Sequence, residues 1–158
     1  MSNAYPDPAS LGIDRWAALI AAHHGYPGAV CVVDCGTAVT LDMVTAAGEH
    51  RGGLILPGIE MLQQMLLRNT AGLRLSGKPL TAMPLANNTT AGIYGGAVYM
   101  LVAAIDRSIA DMRAEQGINI DIVMTGGDAG RVLSLLHSAA HHDPDLVLRG
   151  IALLAGEN

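Results

Sequence analysis

The chain has 158 residues, within the size of a single domain, and 51% of them are apolar, which is enough to bury a substantial core. It has no Phe and only 3% aromatic residues, so that core is built from small aliphatic side chains and Met. The net charge of −5, with nine Lys and Arg scattered singly, leaves no basic patch for a phosphate backbone and argues against nucleic-acid binding.

Along the chain, "MSNA" reads as an expression scar, although Asn3-Ala4 is equally compatible with native sequence. A first helix is predicted from Asp14 as N-cap through "RWAALIAAHH" to Gly25. Three strands joined by tight turns follow in "AVCVV", "TAVTLDMV" and "GGLIL", which predicts an antiparallel meander. After Pro57-Gly58, Ile59, Leu62, Met65 and Leu66 recur at helical spacing. "AGLRLSGKPLTAMPLANN" then reads as a long loop of functional type. A helix is predicted from Thr89 to about Ala114, a strand over "INIDIVM", a helix over "DAGRVLSLLHSA", a short strand over "DLVL" and a final helix. A meander followed by strand-helix alternation predicts an α/β fold with a mixed sheet covered by helices.

The longest apolar stretch, Ala91 to Ile105, falls short of the roughly 20 residues needed to cross a bilayer, so a buried helix and no membrane association are expected. No signal-peptide pattern is present, and a cytoplasmic protein is expected. Cys31 and Cys35 lie four residues apart on one predicted strand, about 13 Å at strand rise, too far for a disulfide, and read as packed, reduced thiols.

Several short segments bear on chemistry. In "DCGT", Asp34 could hold a cation, Gly36 could let a phosphate approach the backbone, and Thr37 adds a hydroxyl; the same residues also suit an ordinary hairpin turn. "TGGDAG" lies between a strand and a helix, where Gly126 and Gly127 permit close approach and Asp128 could cap the helix. It matches neither common phosphate-loop fingerprint, and an ordinary capped turn explains it as well. Asp14 beside Arg15 would set a base next to a cation that grips carboxylates, a role compatible with capping. The small residues of "NNTTAGIYGGAVYM" open an apolar helix that needs cover on more than one face, from a homodimer or from the core. The pairs His23-His24 and His141-His142 are not spaced to share a metal.

Taken in order, "LGIDRWAAL", "VVDCGTAVTLD", "HRGGLILPG", "NTTAGIYGG", "TGGDA" and "DLVLRGIAL" resemble type III pantothenate kinases, a group that includes the Bvg accessory factors. The resemblance implies a ribonuclease-H-like mixed sheet with flanking helices, of the acetate and sugar kinase, heat-shock chaperone and actin superfamily, and a homodimer. It implies transfer of the ATP γ-phosphate to the 4′-hydroxyl of pantothenate, with Mg2+ and a monovalent cation, K+ or NH4+, in the first step of coenzyme A biosynthesis. Asp14 then corresponds to the general base, with Tyr5, Gly12, Ile13, Arg15 and Thr89 at pantothenate. Asp34 corresponds to the cation ligand, Gly36 and Thr37 to the ATP contacts, and Gly126, Gly127 and Asp128 to the segment near adenosine.

The family's Asp-x-Gly-Asn-[Ser/Thr] phosphate motif and its nearby Lys have no counterpart here; the only lysine, Lys78, sits in the Gly- and Pro-flanked loop. The resemblance therefore implies the second domain of a two-domain kinase over residues 5–158, with the first domain absent and little or no activity in isolation. The competing expectation is a non-catalytic regulatory or binding module, or a truncated remnant, that retains the fold.

Overall fold

The structure is a computed structural model that describes residues 1–77 and 81–156. Lys78 lies outside the described residues. After a 3-10 turn at Pro8–Ser10, the elements are α1 (Ile13–Gly25), β1 (Ala29–Cys35), β2 (Ala38–Val44), β3 (His50–Pro57), α2 (Ile59–Asn69), α3 (Thr89–Gln116), β4 (Ile120–Thr125), α4 (Ala129–Leu133), β5 (His141–His142) and α5 (Leu146–Ala155). The five strands form one mixed sheet in the order β3-β2-β1-β4-β5. The meander pairs antiparallel, while β4 runs parallel to β1 and β5 parallel to β4.

Strand alternation sorts the sheet into two faces. Cys31, Val33 and Cys35 of β1, with Leu41, Met43, Ile122 and Met124 beside them, face an aliphatic core completed by α2, α3 and α4. Val30, Val32, Val44 and Val123 face the opposite way, under Ala18, Leu19 and Ala22 of α1 and Leu146 of α5. Both thiols are free and buried, as the spacing predicted, and burial pushes each up to about 12.

By length and composition α3 could cross a bilayer, but Val98, Leu101, Val102, Ile105 and Ile109 form its stripe in the core. Its start is fixed by Asn88, whose side chain accepts the Ala91 N–H at 2.9 Å, and its end by the left-handed Gly117.

Three local expectations are corrected. The N-cap of α1 is Gly12, not Asp14: the Gly12 carbonyl already accepts the Trp16 N–H at 3.0 Å, which makes Ile13 helical and moves Asp14 into the first turn. The predicted helix over "DAGRVLSLLHSA" is helical only to Leu133, because the Asp106 carboxylate of α3 accepts the backbone N–H groups of His137 and Ser138 and draws the chain out of helix. "DLVL" is the beginning of α5 and the strand falls earlier, on His141–His142. A four-residue apolar run has no periodicity of its own to separate the two.

Residues 1–4 are integrated into the fold. Ser2 donates its N–H to the Gly48 carbonyl and accepts the His50 N–H, both at 2.9 Å, bridging to the turn between β2 and β3.

Candidate functional site

The site lies where β1 and β4 end side by side. The β1–β2 hairpin at Cys35-Gly36-Thr37 closes with the Gly36 N–H on the Ala38 carbonyl at 3.1 Å. Two further bonds tie it to its neighbours: Asp128 donates its N–H to the Cys35 carbonyl at 2.9 Å, and Gly58, at the head of α2, donates to the Thr37 carbonyl at 3.0 Å. The two glycine-bearing segments singled out in the sequence are thus bonded to each other. Gly126 adopts φ 90°, and a Cβ there would lie 2.5 Å from both Asp34 Oδ1 and the Cys35 carbonyl oxygen, so only glycine fits between the strand ends.

Beside this junction opens a cleft of about 1000 Å³. Gly36, Thr37, Gly127 and Asp128 form one wall; the opposite wall is the outer face of α2, with Met61, Met65 and Arg68. The latter wall was not anticipated. Its signal was the polar and flexible residues of α2 that alternate with Ile59 and Leu62 at helical spacing. Asp128 does not cap α4 with its side chain; its carboxylate pairs with Arg131 at 2.9 Å instead.

Asp34 points to the α1 face of the sheet, in register with Thr40 on β2 and Thr125 on β4. It is half-buried and makes no hydrogen bond or ion pair among the described residues. Burial first, and then the nearby charge of Asp14, push its carboxyl above the ordinary value. Asp14 itself is exposed in the first turn of α1, where the helix N-terminus favours negative charge, and its Oδ1 accepts the Arg15 N–H at 2.9 Å. The charge of Asp14 thus bears on Asp34 at the end of β1. Among the described residues no group of three or more His, Cys, Asp or Glu could hold a metal.

Next to Asp14, Arg15 turns inward. Its Nε and Nη2 donate to Asp42 Oδ2 and Oδ1 at 2.7 and 2.6 Å, and its Nη1 donates to the Tyr5 hydroxyl at 3.1 Å. The Asp42 hydrogen bond holds the guanidinium above its ordinary pKa, against the opposing effect of burial. His50 Nε2 reaches Asp42 Oδ1 at 3.0 Å, and its ring stacks on Tyr5 with centroids 6.0 Å apart. An ionised Asp42 can only accept, so His50 donates to it through Nε2–H, while Nδ1 lies 3.4 Å from Asn3 Oδ1 and 3.5 Å from the Ala4 nitrogen. Sequence reasoning missed Asp42 and His50. Their trace was polar Thr40 and Asp42 at alternate positions of an apolar strand.

The structure thus brings Tyr5, Gly12, Ile13, Asp14 and Arg15 to one side of Asp34, and Gly36, Thr37, Gly126, Gly127 and Asp128 to the other. Thr89 stands apart. It is exposed at the start of α3, which packs on the opposite face of the sheet from α1.

A mixed α/β sheet with flanking helices, with two glycine-bearing turns at adjacent strand ends, defines the class of the fold. The activator of the 2-hydroxyisocaproyl-CoA dehydratase from Clostridium difficile, solved with bound ADPNP, shares the fold over 90% of this chain and 65% of its own, at a TM-score of 0.52 and 10% identity. Within that class the relationship is specific. The sequence profile of type III pantothenate kinase matches residues 1–111, and the chain belongs to that family.

Relatives named type III pantothenate kinase include those of Nitrosococcus oceani, 47% identical over 97% of this chain and 59% of the relative, and Alkalilimnicola ehrlichii, 44% identical over 100% and 64%. The chain therefore spans about six tenths of the curated relatives it matches. A structure described as a conserved Baf family transcriptional activator from Campylobacter jejuni superposes over all of this chain and 68% of its own, with TM-score 0.68 and 26% identity.

Proposed function

We propose that this chain carries the base and one phosphate-binding wall of an ATP-dependent pantothenate kinase, which converts pantothenate to 4′-phosphopantothenate. The observation that carries this reading is the exposed Asp14 carboxylate in the first turn of α1, near enough for its charge to bear on Asp34, on the strand end that continues into Gly36 and Thr37 of the cleft. In this reading Asp14 is the acceptor for the hydroxyl proton and the Thr37 and Gly127 wall is the anchor for the phosphoryl donor. Phosphoryl transfer needs positioning and charge neutralisation rather than covalent participation by the protein; these residues supply positioning, and Arg68 of the α2 wall supplies positive charge.

In this mechanism Asp14 accepts the proton of the attacking primary hydroxyl as its oxygen bonds to the γ-phosphorus of ATP and ADP departs. Arg15 and Tyr5 hold the far end of pantothenate, and the Thr37 hydroxyl bonds the phosphates. The α2 wall supplies apolar cover from Met61 and Met65, together with the charge of Arg68. Mg2+ bound with the nucleotide would supply further neutralisation of phosphate charge.

Asp34 fits a monovalent cation. Its carboxylate is an acceptor only, is half-buried, lacks a partner among the described residues and is disfavoured in its charged form by burial and by Asp14. Phosphate oxygens, backbone carbonyls or water would complete the coordination. Thr89 belongs to the same pocket only if a second copy brings its α3 across, which gives the expected homodimer a definite role.

No counterpart of the family's first phosphate motif is found in this sequence, so the chain alone is expected to turn over weakly or not at all. A coupled ADP assay tests this on the chain alone and on the chain mixed with the part of the Nitrosococcus oceani relative that it does not match. Restored pantothenate-dependent turnover, lowered by about 10²–10⁴-fold in Asp14→Asn, is the expected result. Turnover by the mixture that survives Asp14→Asn overturns the role of Asp14, and full activity of the chain alone overturns the need for a second half.

A further inference from the structure

The most costly feature of the α1 face is the charge buried within it. Asp42 is 2% exposed and His50 3%, on a face whose neighbouring strand positions are Val30, Val32, Val44 and Val123. Buried charged and polar groups rarely stabilise a fold more than well-packed apolar residues would, so the retention of Asp42, with its ion pair to Arg15, and of His50 calls for another reason.

The surrounding backbone is adapted to this pair. Asp42 faces Gly53 on β3, where a Cβ would lie 2.4 Å from its Oδ1. The register between β2 and β3 shifts at Met43/Val44, so that Met43 pairs with Gly52 and Val44 with His50, leaving Arg51 as the extra residue. In unbroken register Val44 would face Arg51 and the His50 side chain would fall on the opposite face of the sheet. The irregularity is what delivers the imidazole to Asp42.

What the pair organises lies next to the base. Asp42 takes Nε and Nη2 of Arg15, and Tyr5 takes a hydrogen from Nη1. A guanidinium has five N–H donors, so about two remain, one on each terminal nitrogen. Arg15 follows Asp14 directly in the first turn of α1. Tyr5 is stacked on His50, and the segment that carries Tyr5 is bonded to His50 through Ser2 and Ala4.

We propose that Asp42 and His50 are positioning residues of the substrate pocket: they fix the Arg15 guanidinium, with the Tyr5 hydroxyl bonded to it, as a preformed receptor for the carboxylate of the alcohol substrate. This inference rests on the kinase reading and deepens it. Asp42 and His50 touch no substrate in this arrangement; they act through Arg15 and Tyr5. Preforming the receptor saves the ordering of a long, flexible side chain on binding and sets the distance between the bound carboxylate and the hydroxyl presented to Asp14.

Calorimetric titration of the chain with pantothenate, and with its uncharged primary amide, tests the assignment. The wild-type chain is expected to prefer pantothenate by about tenfold or more, the range of a charge-assisted pair. Asp42→Asn is expected to reduce that preference to within about threefold, through weaker binding of pantothenate and little change for the amide. His50→Gln, which keeps a donor for Asp42, is expected to fall between the two and provides the test should Asp42→Asn fail to fold.

A folded Asp42→Asn with the wild-type preference, or a loss of affinity equal for both compounds, overturns the proposal: a purely structural role would weaken both alike. If Asp42→Asn does not fold, a His50→Gln chain with unchanged preference overturns it. A wild-type chain that binds neither compound overturns the kinase reading beneath it, an outcome distinct from a failure confined to Asp42 and His50.

Discussion

The two faces of the sheet solve the same packing problem differently. The face under α3 is closed by the apolar side chains of Cys31, Val33, Leu41, Met43, Leu101 and Ile105. The face under α1 begins the same way at Val30, Val32 and Val123, but toward the end of β1 and the start of β2 it becomes Asp34, Thr40 and Asp42. The strands are shared, so the difference lies in alternate residues of the same segments. One face is closed by apolar packing, while the other carries the Arg15–Asp42 ion pair and, at Asp34, a carboxylate without a partner among the described residues.

Truncation should separate the faces most sharply. Asp42→Ala leaves the Arg15 guanidinium buried without its carboxylate and is expected to destabilise the chain by about 3–5 kcal/mol in urea unfolding. On the aliphatic face, Ile105→Ala opens a cavity and is expected to cost about 2–4 kcal/mol by the same measurement. A smaller loss for Asp42→Ala than for Ile105→Ala would mean that the polar pair is already reached by water.

The sign should reverse at Asp34. Its carboxyl is held above the ordinary value, so the folded state binds the proton more tightly than the unfolded chain. The stability this contributes is fully present below the ordinary value of 3.8 and is lost as the pH rises through the folded-state value. Asp34→Asn is therefore expected to raise the unfolding midpoint relative to wild type at pH 7, with the difference vanishing toward pH 3. An equal effect at both pH values would point to packing rather than charge. Far from both faces, Arg107→Ala removes an exposed ion pair with Asp111 on α3, and no measurable change in midpoint is expected.

Much of the frame could be read in advance. The meander, the helix that follows Pro57-Gly58 and the long helix from Thr89 rest on local periodicity and on breakers at their ends, and each was found where the pattern indicated, within a few residues. The short elements near the C-terminus were less legible. The Asp106 carboxylate ends α4 from a residue more than thirty positions away, an influence no local window contains. The site divides in the same way. "DCGT" and "TGGDA" were visible as turns with polar residues, but the hydrogen bond between Asp128 and Cys35 makes them one structure.

By itself, the sequence determined the alternation of strand residues, the long helix from Thr89, the placement of Asp14 at a helix start and the family to which the chain belongs. These depend on neighbours in the chain or on ordered motifs, both of which are written in one dimension. Only the tertiary structure decided that Arg15 turns to Asp42, that α2 walls the cleft and that His50 lies on the α1 face. The last depends on one extra residue in the pairing of β2 with β3. Strand side chains change face with every single step, so a register shift of one residue decides which groups meet while leaving the composition of the strand unchanged.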